Sequence, residues 1–230
     1  MALIEVKNAV KIYEDKNSVP VKALDGLSLT IAAGEFTAIV GPSGSGKTTL
    51  LNAIGGLDTL SSGQTLIDGQ DIAALSANAL AEFRLRNIGF IFQAYNLIPV
   101  LSAAENVDFI LLLQGIDKAE RHKRVAAELA ELGIDAAMMD RRPHELSGGQ
   151  QQRVAVARAT VARPRIILAD EPTANLDSKT GAHLLDKMRE MNEKKGITFV
   201  FSTHDQMVME HARRLVILRD GQIVEEKIQR

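Results

Sequence analysis

The chain of 230 residues contains no cysteine. That excludes a disulfide framework and any thiolate metal site, and suits a reducing compartment. Long apolar runs are missing too. The longest stretch, Phe109-Ile110-Leu111-Leu112-Leu113, falls far short of the roughly 20 residues that span a bilayer. Any membrane role must therefore act through a partner. Neither sign of charge dominates: 27 Lys and Arg against 29 Asp and Glu leave a formal charge of −2, with no global attraction for nucleic acid. The local pairs Arg141-Arg142 and Arg213-Arg214 read as solvated faces. The opening Met1-Ala2-Leu3-Ile4-Glu5-Val6-Lys7 carries charge where a signal peptide needs its apolar centre, so export is not expected. No internal repeat, low-complexity segment or Pro/Gly-rich linker divides the chain.

With 46% hydrophobic and 24% charged residues, the composition is that of a globular protein able to bury a sizeable core. Its length suits one large domain, or a core domain with an inserted subdomain. Alternation predicts strands over Leu3–Val10 and Leu24–Ile31, with a turn at Ala32-Ala33-Gly34-Glu35. Phe36-Thr37-Ala38-Ile39-Val40 is an unbroken β-rich run, as a strand buried on both faces should be. A helix is expected over Thr48–Ile54. Further buried runs at Ile88–Phe92, Ile166–Ala169, Thr198–Phe201 and Leu215–Leu218 are mostly separated by helical patterns, which argues for an α/β fold. Between Phe92 and Gln150 the texture turns helical, with helices expected over Ala103–Gln114 and Lys118–Leu132.

Three short segments carry chemistry. Gly41-Pro42-Ser43-Gly44-Ser45-Gly46-Lys47-Thr48 fits the phosphate-binding loop: glycines let backbone N–H groups turn toward phosphate oxygens, Lys47 supplies a cation for the β- and γ-phosphates, and the Thr48 hydroxyl helps hold Mg²⁺. Thr49 continues it into a helix whose N-terminus favours anions. The strand before it and the helix after it weigh against a mere glycine-rich turn. Ile166-Ile167-Leu168-Ala169-Asp170-Glu171 is an apolar strand ending in two acids. Asp170 suits Mg²⁺ through water and Glu171 suits polarising an attacking water, although acids also end strands as turn formers or helix caps. Leu146-Ser147-Gly148-Gly149-Gln150 precedes an amphipathic helix expected over Val154–Val161, which Ser147 could simply cap with the glycines as its lead-in.

The order of these segments resembles the ATP-binding cassette (ABC) family, whose signature is Leu-Ser-Gly-Gly-Gln lying between the phosphate loop and the acidic strand. The resemblance runs from Leu3 to Glu225. It implies a P-loop NTPase fold of the ABC type: a mostly parallel central sheet, an N-terminal antiparallel β subdomain and an inserted helical subdomain. The catalytic core with its β subdomain would be 1–93 and 153–230, and the helical insert with the signature 94–152. It also implies that the nucleotide-binding segment Ser147, Gly148, Gly149 and Gln150 faces a second copy, with Ser147 and Gly149 on the γ-phosphate held there, so that hydrolysis needs a homodimer around two Mg·ATP. Tyr13 resembles the aromatic that stacks on adenine, though a tyrosine ending a strand can merely pack. Gln93 resembles the glutamine that reaches Mg²⁺ and water while joining the helical insert. Asn175-Leu176-Asp177 resembles the loop that crosses the dimer interface, or is only a helix-capping turn, and His204 in Ser202-Thr203-His204-Asp205 resembles the histidine that bonds the γ-phosphate.

Two further stretches narrow the likeness. Gly55-Gly56-Leu57-Asp58 with Ser62-Gly63, and Phe92-Gln93-Ala94-Tyr95-Asn96-Leu97-Ile98-Pro99 with Glu105-Asn106-Val107, resemble the lipoprotein-release and macrolide-exporter ATPases. Ala174 departs from them, since they usually carry glycine there. The likeness implies an ATPase that energises a separately encoded membrane permease from the cytoplasmic face of the inner membrane. The alternative is a mechanotransmission or cell-division ATPase whose permease moves no substrate. A soluble ABC ATPase acting on DNA or ribosomes is disfavoured, because such proteins usually carry two cassettes or a long coiled-coil insert.

Overall fold

The structure is a computed structural model that describes residues 2–14 and 19–229. In chain order it has β1 (Ala2–Tyr13), β2 (Val21–Ala32), β3 (Phe36–Val40), α1 (Lys47–Ile54), β4 (Ser62–Ile67), β5 (Gln70–Asp71), α2 (Ala77–Asn87) and β6 (Ile88–Ile91). There follow α3 (Ala103–Leu113), α4 (Lys118–Glu131), α5 (Ala136–Met139), α6 (Gly148–Thr160), β7 (Ile166–Asp170), α7 (Ser178–Lys195), β8 (Thr198–Thr203), α8 (Gln206–His211), β9 (Arg214–Arg219) and β10 (Gln222–Ile228). The strands form two sheets. An antiparallel sheet runs β2-β1-β4-β5, and a six-stranded sheet runs β10-β9-β3-β8-β7-β6. In the larger sheet every pairing is parallel except that of β10 with β9.

The unbroken apolar run of β3 is explained by its place. It pairs with β9 on one side and β8 on the other, and all five of its residues are buried. Alternation along the parallel strands then feeds two cores. Ile39, Ile166, Leu168 and Val200 pack with α1 and the antiparallel sheet, whereas Ala38, Val40, Ile167, Ala169, Phe199 and Phe201 pack with the helices on the opposite face. Phe36, Phe199 and Phe201 form the aromatic centre of that second core, with ring centroids 4.7–5.8 Å apart. Truncating Phe199 to alanine would cost about 3–5 kcal/mol on general grounds. The helices between β6 and β7 share this core, because Val107, Leu111, Val125, Leu129, Val154 and Val156 belong to one cluster with the sheet.

Several elements differ from the sequence expectations. The signature helix begins at Gly148, not Val154: the Ser147 hydroxyl accepts from Gln150 N at 3.3 Å while Gln150 Oε1 accepts from Ser147 N at 2.8 Å, and this capping box pulls both glycines into the first turn. The first two strands are longer than their alternation suggested, because shifts of register interrupt the period along β1. Arg214 is no solvated face. It bridges Glu35 (2.9 Å) and Glu226 (2.7 Å) and donates to Thr30 O, so that only 19% of its side chain is exposed. No helix among the described residues is long and apolar enough to cross a membrane.

Candidate functional site

Register assembles the site. Val40 pairs with Thr203, Asp170 with Ser202 and Ile91 with Ala169, so β3, β7, β8 and β6 end along one edge of the sheet. The residues that follow those ends, Gly41 onward, Glu171, His204 and Gln93, therefore emerge side by side despite separations of up to about 160 positions in the chain. They open onto a cleft of about 650 Å³ lined by Tyr13, Val21, Ala23, Pro42 to Thr49, Gln93, Asp170, Glu171 and His204.

The loop after β3 is shaped for phosphate. Gly46 has φ +103, and a Cβ there would lie 2.3 Å from the Ala23 carbonyl oxygen, so only glycine fits. Gly46 caps α1 without a side-chain bond, which leaves the first N–H groups of the helix free to meet an anion. Lys47 is buried and donates from Nζ to the carbonyls of Gly41 (2.8 Å) and Pro42 (3.0 Å). Ser45 Oγ is buried with no partner. An unpaired hydroxyl, idle helix N–H groups and a cation held only by carbonyls fit a polyphosphate. The Thr48 hydroxyl lies 3.1 and 3.2 Å from the two Asp170 oxygens. That all-oxygen pair beside a phosphate loop, with Gln93 on the same cleft, suits Mg²⁺, which binds through one or two protein oxygens plus substrate phosphates and water.

Glu171 stands on the other wall. It sits just past β7 with φ +47, a left-handed conformation costing a side-chain-bearing residue about 1 kcal/mol or more, held by its N–H to Ser202 O (2.8 Å). Its carboxylate is nearly buried, with 12% exposure. One oxygen accepts from Thr203 Oγ1 (3.0 Å) and the other lies 2.6 Å from Nδ1 of the exposed His204. Glu171 does open a turn, its carbonyl accepting from Ala174 N at 3.2 Å, but the acidic side chains are engaged elsewhere: Asp170 bonds Thr48, and Glu171 bonds Thr203 and His204. Thr203 was missed in the sequence. It lies within Ser202-Thr203-His204-Asp205, and strand alternation places its hydroxyl beside Glu171.

The remaining sequence-derived residues stand apart from this cleft. Ser147, Gly148, Gly149 and Gln150 open α6 and do not line it. Asp177 caps α7, accepting from Thr180 N at 3.0 Å, and that bonding to Thr180 holds its carboxyl below the usual aspartate range. The capping-turn alternative for Asn175-Leu176-Asp177 is therefore realised. The two groups are neighbours nonetheless: a Cβ on Gly149 would lie 3.1 Å from the Thr180 methyl, and Asn175 Nδ2 donates to Gln93 O at 2.9 Å. Arg158 was also missed. From α6 it donates to the Tyr95 carbonyl (2.8 Å) and the Asn96 carbonyl, strapping the segment after Gln93, with both tyrosine and asparagine at positive φ, onto the signature helix. Burial pushes its guanidinium pKa down.

Residues 24–174 match the family model described as ABC transporter. The chain is 46% identical to the macrolide export ATP-binding/permease protein MacB of Brucella melitensis biotype 1 over 99% of its own length, and spans 35% of that longer protein. It is also 46% identical to the uncharacterized ABC transporter ATP-binding protein MJ1508 of Methanocaldococcus jannaschii, over 97% of this chain and 98% of that one. Among solved structures it is similar to the ATP-binding cassette MJ0796, a dimer in a post-hydrolysis state bound to ADP and Pi, at 41% identity, a TM-score of 0.93 and 99% coverage of both chains. The cleft, the signature helix and these likenesses agree that the chain belongs to the ABC transporter family, as an ATP-hydrolysing ATP-binding cassette.

Proposed function

We propose that two copies of this chain close head to tail over two Mg·ATP, and that the closure drives a separate membrane permease of the lipoprotein-release or macrolide-export type. The observation that carries this is the split between the two sets of residues. The phosphate loop, Asp170, Glu171 and His204 line one cleft, while Ser147 to Gln150 head a helix that opens elsewhere on the same chain. A second copy can present that helix N-terminus, with the Gly148 and Gly149 N–H groups outside its capping box and the proton of the Ser147 hydroxyl, to the open side of the cleft. The dimeric state of MJ0796 supports the same arrangement.

In the closed site, Tyr13 stacks on adenine and backbone N–H groups between Ser43 and Thr49 surround the phosphates. Lys47 exchanges its two carbonyls for β- and γ-phosphate oxygens. Thr48, Asp170 and Gln93 would hold Mg²⁺, whose charge offsets that of the phosphates. Glu171, already oriented by Thr203 and His204, accepts a hydrogen bond from the attacking water, and His204 donates to the γ-phosphate. The water oxygen bonds to phosphorus as the bond to the bridging oxygen breaks, releasing ADP and phosphate. Fixed donors around the phosphoryl group supply most of the stabilisation.

The permease contact is placed on an apolar groove of about 750 Å³ lined by Leu57, Phe90, Phe92, Phe109 and Leu113. Leu57 and Leu113 are about half exposed, and the groove borders the segment strapped by Arg158. Peripheral attachment to the cytoplasmic face of the membrane follows from that contact. The test is size-exclusion chromatography with light scattering on Glu171→Gln, with and without Mg·ATP. A monomer that becomes a dimer only with nucleotide is expected. A monomer at saturating Mg·ATP, with parent hydrolysis intact, would contradict the dimeric site.

A further inference from the structure

Asp58 ends the Gly55-Gly56-Leu57-Asp58 segment and lines neither the nucleotide cleft nor the apolar groove. It follows α1 in the segment where Leu57 N donates to Asn52 O at 2.9 Å. Both of its carboxylate oxygens are committed. Oδ1 accepts from Lys11 Nζ (2.6 Å) and from Thr59 N (2.8 Å), and Oδ2 accepts from the Tyr13 hydroxyl (2.7 Å). Lys11 also donates to the Thr59 carbonyl at 2.7 Å, and its ammonium sits 4.8 Å from the centroid of the Tyr13 ring. Two more bonds stitch the same segments: Ile12 N to Ser61 Oγ at 3.0 Å and Ser61 N to Val10 O at 2.8 Å.

The consequence for Tyr13 is geometric. Its hydroxyl is used, Lys11 lies over the ring, and the residue, 43% exposed, lines the cleft. A tyrosine at the end of a strand would otherwise sample several rotamers and lose that freedom on binding. Here the ring is fixed before any ligand arrives. The ion pair is substantially shielded, with Lys11 13% and Asp58 28% exposed. Burial raises the Asp58 carboxyl, yet the bonds from Lys11 and Tyr13 outweigh it and leave the group below the usual aspartate range. Burial, with the neighbouring carboxylate, pushes the Tyr13 phenol up.

We propose that Lys11 and Asp58 are positioning residues for nucleotide binding, holding the Tyr13 ring in its stacking orientation and tying it to the segment that leaves the phosphate-loop helix. Base and phosphates then meet surfaces already fixed relative to one another. Neither residue touches the nucleotide. The proposal rests on Tyr13 being the adenine platform described above.

Calorimetric titration with Mg·ADP and, as a ligand without a base, Mg·pyrophosphate tests it. Asp58→Ala should weaken Mg·ADP about five- to tenfold, within the range for losing part of a base–aromatic stack, and leave pyrophosphate within about twofold. Lys11→Met should weaken Mg·ADP by about threefold, the scale of one cation–π contact, because Asp58 still holds the Tyr13 hydroxyl. In a Tyr13→Ala background, Asp58→Ala should add nothing, because it acts only through the ring. Equal weakening of ADP and pyrophosphate would overturn the proposal and assign Asp58 to the phosphate loop. Weak ADP binding in Tyr13→Ala but not in Asp58→Ala or Lys11→Met would overturn it while leaving the platform intact. An unchanged Tyr13→Ala would overturn both. Should Asp58→Ala melt without cooperativity, Lys11→Met and Tyr13→Phe carry the same comparison, with Tyr13→Phe expected to weaken ADP about threefold through loss of the hydroxyl bond to Asp58.

Discussion

The phosphate loop and the signature segment are both glycine-rich and both head a helix, but the chain completes only one of them. Around Gly41 to Thr48 it gathers Asp170, Glu171, His204 and Gln93 on a single cleft. Around Ser147 to Gln150 it provides the local capping box, a bond from Gln150 Nε2 to Met138 Sδ at 3.1 Å, one from Arg153 Nε to Gly149 O at 3.3 Å, and packing against Thr180 and Tyr95, with none of the cleft's acids or cations. The glycines differ in the same way. Gly46 is required by its own chain, through a positive φ and a carbonyl 2.3 Å from any Cβ. Gly149 is helical and merely crowded by a methyl at 3.1 Å. That Gly149 is not required by its own fold supports the proposed contact with a second copy.

Five substitutions sharpen or break this contrast. The largest effect is expected for Glu171→Gln. Turnover should fall about a thousandfold, as for loss of a group that manages the proton of the nucleophile, with Mg·ATP binding retained. Steady-state phosphate release alongside nucleotide titration measures both. Ser147→Arg should reduce turnover at least about a hundredfold, as when transition-state donors are lost, yet leave Mg·ADP affinity of the monomer unchanged. A parallel loss of affinity would place the signature in its own chain's site.

Smaller and more discriminating is the pair Gly46→Ala and Gly149→Ala. The first should lower stability by about 2–3 kcal/mol in urea unfolding, from strain and a backbone clash. The second should leave stability within about 1 kcal/mol, or raise it, and affect turnover alone. The smallest effect concerns the α7 cap. The folded Asp177 carboxyl titrates below its ordinary value, so its contribution is full above the usual aspartate pKa and fades as pH falls through the lower folded one. The gap in Tm between parent and Asp177→Ala should therefore be a few degrees at neutral pH and close in acid.

Much of the site was legible because its local grammar is strict. Glycine spacing, an apolar strand ending in two acids and a serine before a helix each announce themselves within eight residues. The strand order that joins them was not, because register between β3, β7 and β8 is a tertiary outcome. Helix α6 was misplaced at its start although the Ser147/Gln150 capping box was present, since two glycines lower helix propensity and hid the signal. Helix α2 went unassigned for a related reason: it buries no residue fully, so its apolar period is faint. Thr203, Arg158 and the Lys11–Asp58–Tyr13 cluster act through partners 32 to 63 positions away, which no window on the sequence reveals.

The most direct test of the divided site is the ATPase activity of an equimolar mixture of Lys47→Ala and Ser147→Arg chains. Each alone should be inactive, one lacking the phosphate cation and the other the signature. In the mixed dimer, the intact loop of one copy faces the intact signature of the other, so activity should return to a measurable fraction of the parent rate. A mixture as inactive as its components, while the parent dimerises normally with Mg·ATP, would contradict a site built from two chains.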